Sequence, residues 1–496
     1  MKSTKNDAAR LNPDGGGAMA ASFRDPAGTL FSSGGRIFRI VNAQGTADLD
    51  AFLGSAAGRG LLESGSVAGT RMLGEGERQE LLGDPGVQSL FDAVRGEMVV
   101  EHERIVFPSF PYEWPPEMLH AAGVHTLDLA QALLPDGLGL KDATPYNVLF
   151  RGPDPVFIDV LSFERRVAGD ATWLPYAQFV RTFTLPLLAN KYYGLALDQV
   201  LFARRDGLEP EEVYRWAGPL ERLRPPFLSL VSLPAWLGRR QRQASAGIYQ
   251  RKPLANAEKA AFILSTLLHG LRRTMEKLKP AAGRKSAWSD YMASNNNYSA
   301  EHHAAKKEFV AGALAEFHPK RVLDVGCNDG FFSALAARAG AGVVAIDYDP
   351  VMAGEVWLNA SGEGLDILPL VVNLTRPTPG MGWRNRECAS FLDRARGGFD
   401  AVLMLAVIHH MLVTERVPLA EIVDLAAELT TDLLVIEFIA PEDSMFQRLT
   451  RGREELHRGL TIAVFESCCR RRFDVVRSQH LEGSARWLYL MRIRGD

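Results

Sequence analysis

The run Asp324-Val325-Gly326-Cys327-Asn328-Asp329-Gly330 places two glycines and three acidic or amide side chains between a strand-like stretch, RVLDVG, and a helix-like one, FFSALAARAG. Residues at the carboxyl end of a parallel strand face the crevice in which open α/β sheets bind ligands. Glycine at 326 and 330 lets a ligand come close to the backbone. A dinucleotide fingerprint would need glycine at 328 and 331, where Asn328 and Phe331 stand, and no G-x-x-x-x-G-K-[ST] phosphate loop occurs. Asp347 closes the next strand-like stretch, GVVAID, 21 residues after Gly326. A carboxylate there accepts hydrogen bonds from both hydroxyls of a ribose; alternatively, with Asp349-Pro350 following, it caps a helix. The third strand-like stretch ends at Asn373-Leu374, the fourth runs into Ala406-Val407-Ile408-His409-His410, and the fifth ends at Glu437.

The D-x-G-x-x-x-G pattern resembles motif I of class I methyltransferases that use S-adenosylmethionine, and the resemblance spans residues 286–496. It implies a Rossmann-like sheet with Asp324, Gly326, Cys327, Asn328, Gly330, Asp347, Asn373 and Ala406 around the cofactor, Asn373 near the adenine, and 406–410 lining the cofactor and acceptor pocket. A sulfonium methyl is already electrophilic, so such a protein has to align nucleophile, methyl and leaving sulfur and exclude water. A hydroxyl acceptor gains from a general base, a task suited to histidine. His409 and His410 are the candidates, with Glu437 behind them; the alternative is that the histidines only pack beside the cofactor. Similar methyltransferases carry an aromatic-bearing segment that closes over the cofactor, which directs attention to Trp288, Tyr291 and Tyr298, ahead of a helical run with Lys306 and Lys307.

A second constellation lies upstream. Asp142-Ala143-Thr144-Pro145-Tyr146-Asn147 has the form D-x-x-x-x-N, and Asp159 follows Asn147 by twelve residues. This resembles the catalytic loop and metal-binding Asp of the protein-kinase-like fold. The resemblance implies Asp142 as the catalytic residue orienting an attacking hydroxyl, and Asn147 and Asp159 as ligands of magnesium on ATP. Leu140-Lys141-Asp142 replaces His-Arg-Asp, Asp159-Val160-Leu161 replaces Asp-Phe-Gly, and no lysine occurs between Lys5 and Lys141. Either an arginine substitutes for the phosphate-pairing strand lysine, or the domain is inactive or repurposed, or it is an unrelated α+β domain in which Asp142 and Asn147 cap turns. Tyr112-Glu113-Trp114, Lys141-Asp142-Ala143-Thr144-Pro145-Tyr146-Asn147 and Phe157-Ile158-Asp159-Val160-Leu161-Ser162-Phe163-Glu164 together resemble bacterial methyltransferases of the nodulation-associated type.

The elements that must hold these residues follow from periodicity. After residue 305, strand-like and helix-like runs alternate, which implies βαβ units and a mostly parallel sheet. Before it, 28–41 reads as a hairpin turning at Ser32-Ser33-Gly34-Gly35, and 115–134 as a helix. Residues 255–279 form an amphipathic helix with Phe262, Ile263, Leu267, Leu271, Met275 and Leu278 on one side. The domains expected are a disordered 1–22, an α+β kinase-like domain at 23–250, a linker helix at 251–285 and the α/β methyltransferase domain at 286–496. With 56 basic and 59 acidic residues, the net charge of −3 argues against a nucleic-acid partner. Four cysteines without a CxxC pair, no apolar leader and no membrane-length apolar run point to a cytoplasmic protein with no membrane partner. The activity expected is O-methylation of a sugar or small-molecule hydroxyl; the alternatives are a bifunctional kinase/methyltransferase on one acceptor and a non-catalytic cofactor sensor.

Overall fold

The computed structural model describes residues 19–20, 24–241, 254–281, 283–286 and 300–495. The N-terminal half opens with a five-stranded antiparallel sheet of order β1-β2-β3-β5-β4: β1 (Met19–Ala20), β2 (Gly28–Ser33), β3 (Arg36–Asn42), β4 (Thr70–Met72) and β5 (Gly96–His102). The β2–β3 hairpin turns through Gly34 and Gly35, both with positive φ, as a tight two-residue turn demands. Of the segment expected to be disordered, Met19–Ala20 pairs with β2, while the rest lies outside the described residues, as do Trp288, Tyr291 and Tyr298. Helix α1 (Ala43–Gly54) follows β3, capped by Asn42, and buries Leu49 and Phe52.

Helix α2 (Pro116–Ala132) then leads to two small strand pairs: β6 (Leu138–Leu140) with β9 (Phe163–Arg165), and β7 (Val148–Arg151) with β8 (Asp154–Phe157). Short helices make up much of 176–241, including Leu233–Gln241. The helix Leu185–Tyr193, with Pro186 near its start, continues directly from a π-helical turn at Val180–Thr184.

Helix α3 (Ala257–Leu278) exists as expected, with its face rotated. Phe262 is 72% exposed, and the buried stripe is Leu264, Leu268, Leu271, Met275 and Leu278. That stripe lies on α2: the Met275 methyl approaches the one position, Gly123, that has no Cβ to obstruct it. The helix is thus packed onto the N-terminal half.

The C-terminal half is one seven-stranded sheet of order β12-β11-β10-β13-β14-β16-β15. Its strands are β10 (Arg321–Val325), β11 (Gly342–Asp347), β12 (Ile367–Val371), β13 (Phe399–Met404), β14 (Thr430–Ile439), β15 (Phe473–His480) and β16 (Arg486–Ile493). The first five are parallel, and β16 and β15 add antiparallel at one edge. Helices α4 (Ala300–Phe317), α5 (Phe331–Arg338), α6 (Pro350–Glu363), α7 (Phe391–Ala395), α8 (Ile408–Val413) and α9 (Ser444–Thr450) flank it. The order reverses at β10, which lies between β11 and β13, and a crevice opens at such a switch point beyond the strand ends.

The two halves share buried core. Trp357 on α6 donates its indole N–H to the Pro153 carbonyl at 3.0 Å, and Arg394 on α7 ion-pairs with Glu113 from the Tyr-Glu-Trp motif. Among the described residues, no helix is long and apolar enough to cross a membrane.

Candidate active site

A cavity of about 500 Å³ opens at the switch point. It is lined by Asp324, Gly326, Cys327, Asn328, Asp347, Asn373, Ala406 and His410, so sequence-expected residues from four separate strand ends meet in one place. Gly330 supports the loop from behind. Its φ is +76°, and a Cβ there would lie 2.7 Å from a Val356 methyl on α6. The Gly326 and Cys327 amides both donate to the Ile346 carbonyl, at 2.8 and 3.1 Å, and the Gly330 amide donates to the Cys327 carbonyl at 2.9 Å. Asn328 and Ala406, both against the cavity, hold positive φ of 49° and 52° without being glycine. Such backbone persists where surrounding structure over-determines it, commonly at ligand sites.

Asp347 and Asp349 divide the two roles that the sequence left open. Asp349 caps α6 by accepting from the Val351 amide at 2.9 Å. Asp347 accepts the Asn328 amide at 3.0 Å and the Asp349 amide at 2.9 Å and lines the cavity. Burial pushes its carboxyl up, while those amides pull it down by less. Asn373 accepts from the Thr375 amide at 2.9 Å and hydroxyl at 2.6 Å, which fixes its carboxamide at the cavity wall. Cys327 is buried and its thiol pushed up, so it serves as a protonated packing group.

Asp324 is held by the Ser333 hydroxyl at 2.6 Å, and burial together with Asp347 and Asp329 pushes it to about 6. A cationic ligand binds the ionised carboxylate and draws the pKa back down. The affinity of such a ligand is therefore expected to be full above about pH 6 and to fall by up to tenfold per unit below it, with proton release on binding. Calorimetry at about pH 5.5 in two buffers of different ionisation enthalpy reads that proton directly.

The histidines separate. His410 borders the cavity, and burial lowers its pKa, so the imidazole is neutral. His409 is a correction to its expected catalytic role. It is buried, is not among the cavity-lining residues, and both its ring nitrogens lack a partner among the described residues. Helical geometry explains the split, because adjacent residues point about 100° apart. Glu437 does not reach the cavity either; it lies within β14, which runs on to Ile439, in ion pairs with Lys306 at 2.7 Å and Arg486 at 3.4 Å. His303, Lys306 and Leu449 line the cavity and were not assigned as site residues from sequence. The spacing of His303 and Lys306, three apart on one helix, was the available signal.

The N-terminal constellation assembles too. The Arg39 guanidinium on β3 reaches one Asp159 oxygen at 2.6 Å, and the Ser162 hydroxyl donates to the other at 2.6 Å. Asn147 donates to Ser162 at 3.1 Å, and Gln178 to Asp142 at 3.3 Å. Burial raises Asp142, with Asp159 and Asp25 adding to it. Burial also raises Asp159, but Arg39 and Ser162 outweigh it, and the carboxyl ends below its usual range.

Known methyltransferases resemble the C-terminal half of the chain. A methyltransferase-domain family model matches residues 298–464. The chain is 30% identical over 479 residues to the nodulation protein NoeA of Rhizobium meliloti (strain 1021), covering 95% of each. It is 32% identical over 99 residues to a ubiquinone biosynthesis O-methyltransferase of Caulobacter vibrioides (strain ATCC 19089 / CIP 103742 / CB 15), which is 20% of this chain and 34% of that protein. Among solved structures, the N-methyltransferase NodS from Bradyrhizobium japonicum WM9 in complex with S-adenosyl-L-homocysteine is 12% identical, with a TM-score of 0.31 over 42% of this chain and 97% of that one.

Proposed function

The chain belongs to the family of the nodulation protein NoeA and is an S-adenosylmethionine-dependent methyltransferase, and we propose that its acceptor is a hydroxyl on a sugar or other small molecule. The observation that carries the acceptor class is His410, a neutral imidazole on the wall of the cofactor cavity. The bound cofactor supplies an electrophilic methyl on sulfur. Asp347 takes the ribose hydroxyls, Asp324 the ammonium, and Asn373 the adenine edge. The chemistry of this donor set fits, because two buried carboxylates in one cavity need a cationic ligand. Phe331, Phe332 and Met411 keep water away. His410 takes the proton that the acceptor oxygen loses as its bond to the methyl carbon forms.

The test supplies methyl-labelled cofactor with panels of sugars, small hydroxylated molecules, protein and RNA. Label is expected on a hydroxyl, and His410→Ala is expected to slow transfer by about 10²–10⁴-fold with cofactor affinity kept. Label on protein or RNA instead, or an unchanged rate, overturns the reading.

Arg39 favours a second activity in the same chain. Arg39 on strand β3 of the small sheet would supply the cation that the missing lysine does not, and it ion-pairs with Asp159. Support for a protein-kinase-like N-terminal domain comes from that contact and from Asp142 and Asn147 standing on the loop between β6 and β7. Asn147 and Asp159 would hold magnesium on ATP, Arg39 would exchange Asp159 for phosphate, and Asp142 would orient the acceptor hydroxyl. The same acceptor panel run with labelled ATP and magnesium separates a bifunctional enzyme from a methyltransferase alone.

A further inference from the structure

The charged residues around the cavity are unevenly matched. Asp324, Asp329, Asp347 and Glu415 supply negative charge, against Lys306 and Arg376. Arg376 lies just beyond Asn373, is 74% exposed and pairs with Glu415, which places it at the rim. Lys306 is 5% exposed and stands on α4, with its ammonium 5.5 Å from the centre of the Phe332 ring on α5. It sits near enough to Asp324 to pull that carboxyl down.

An ammonium buried this deeply needs compensation. Glu437 provides it at 2.7 Å, and Glu437 in turn meets Arg486 at 3.4 Å. Arg486 closes on Asp443 with contacts of 2.8 and 3.2 Å. Asp443 caps α9, whose Leu449 returns to the cavity wall. Two cations and two anions form a neutral buried chain that fixes the lysine where it borders the cavity.

The cofactor carries an α-amino acid, whose ammonium and carboxylate share one carbon. A site for that zwitterion needs an anion and a cation on one cavity wall, and Asp324 and Lys306 both line this cavity. We propose that Lys306 receives the amino-acid carboxylate of the cofactor, held in place by Glu437, Arg486 and Asp443. The inference rests on the cofactor assignment above. It makes Lys306 a recognition residue that separates the intact cofactor from adenosyl thioethers lacking the amino acid.

Calorimetry on the full chain with two ligands tests it. S-adenosylhomocysteine carries the amino acid, while 5′-methylthioadenosine keeps the adenine, ribose and sulfur without it. Lys306→Met is expected to weaken S-adenosylhomocysteine at least tenfold, the loss of one charge-assisted hydrogen bond, and to leave 5′-methylthioadenosine within about twofold. Lys306→Arg should recover part of the loss. Unchanged methylthioadenosine binding also shows that the variant is folded. Equal weakening of both ligands assigns the lysine a structural role and overturns the proposal, as does unchanged binding of S-adenosylhomocysteine. Failure of the wild type to bind either ligand sinks the cofactor assignment and this proposal with it.

Discussion

Asp347→Ala is expected to weaken cofactor binding by a hundredfold or more, at least roughly 2.7 kcal/mol. Two losses combine. The carboxylate no longer accepts from the ribose hydroxyls, and charged hydrogen bonds of that kind are worth about 1.5–3 kcal/mol each. The Asn328 amide also loses its 3.0 Å acceptor, and Asn328 holds its left-handed backbone within the loop that borders the cavity. Asp349→Ala provides the contrast two residues away. It removes the α6 cap, which costs about 1 kcal/mol of stability, and leaves cofactor affinity within a few-fold. Calorimetry for affinity and urea unfolding for stability separate the two variants. If Asp347→Ala binds as tightly as the wild type, the ribose assignment is wrong.

The parts of the site legible in the sequence are those whose signal is local. A glycine pair between a strand and a helix, an acid ending the next strand and histidines following the fourth each announce themselves within a few residues. The structure gathers them because parallel strands all point their carboxyl ends the same way. What stayed hidden depends on partners distant in the chain. Which face of α3 is buried depends on α2, so Phe262 and Leu264 exchanged places. Which of His409 and His410 meets the cavity depends on how α8 is seated beyond β13. Lys306 looked like an ordinary helix lysine because its counter-charge, Glu437, is 131 residues away.

The largest effect on stability is expected at Arg394, far from any motif glycine. Its guanidinium pairs with Glu113, which is 0% exposed, and also donates to the Pro108 carbonyl at 2.5 Å. The rings of Phe107, Phe110 and Phe391 surround it at 4.9 to 5.6 Å. Arg394→Met leaves Glu113 buried without its counter-charge, a loss of about 3–5 kcal/mol and a large share of a typical stability. The double variant Glu113→Leu/Arg394→Met removes both charges together and is expected to recover more than half of that loss, since an apolar pair of similar volume needs no desolvated partner. Two residues along, Arg396 and Glu428 pair on the surface at 55% and 49% exposure, and Arg396→Met should cost less than about 1 kcal/mol. Urea unfolding of the wild type, Glu113→Leu, Arg394→Met and the double variant gives the coupling energy. Because Arg394 ties the N-terminal half to α7, and α7 ends the chain segment that starts at Asn373, its loss should also weaken cofactor binding without touching the ligand. A small loss for Arg394→Met alone, close to that of Arg396→Met, would show that the two halves are not held by this pair.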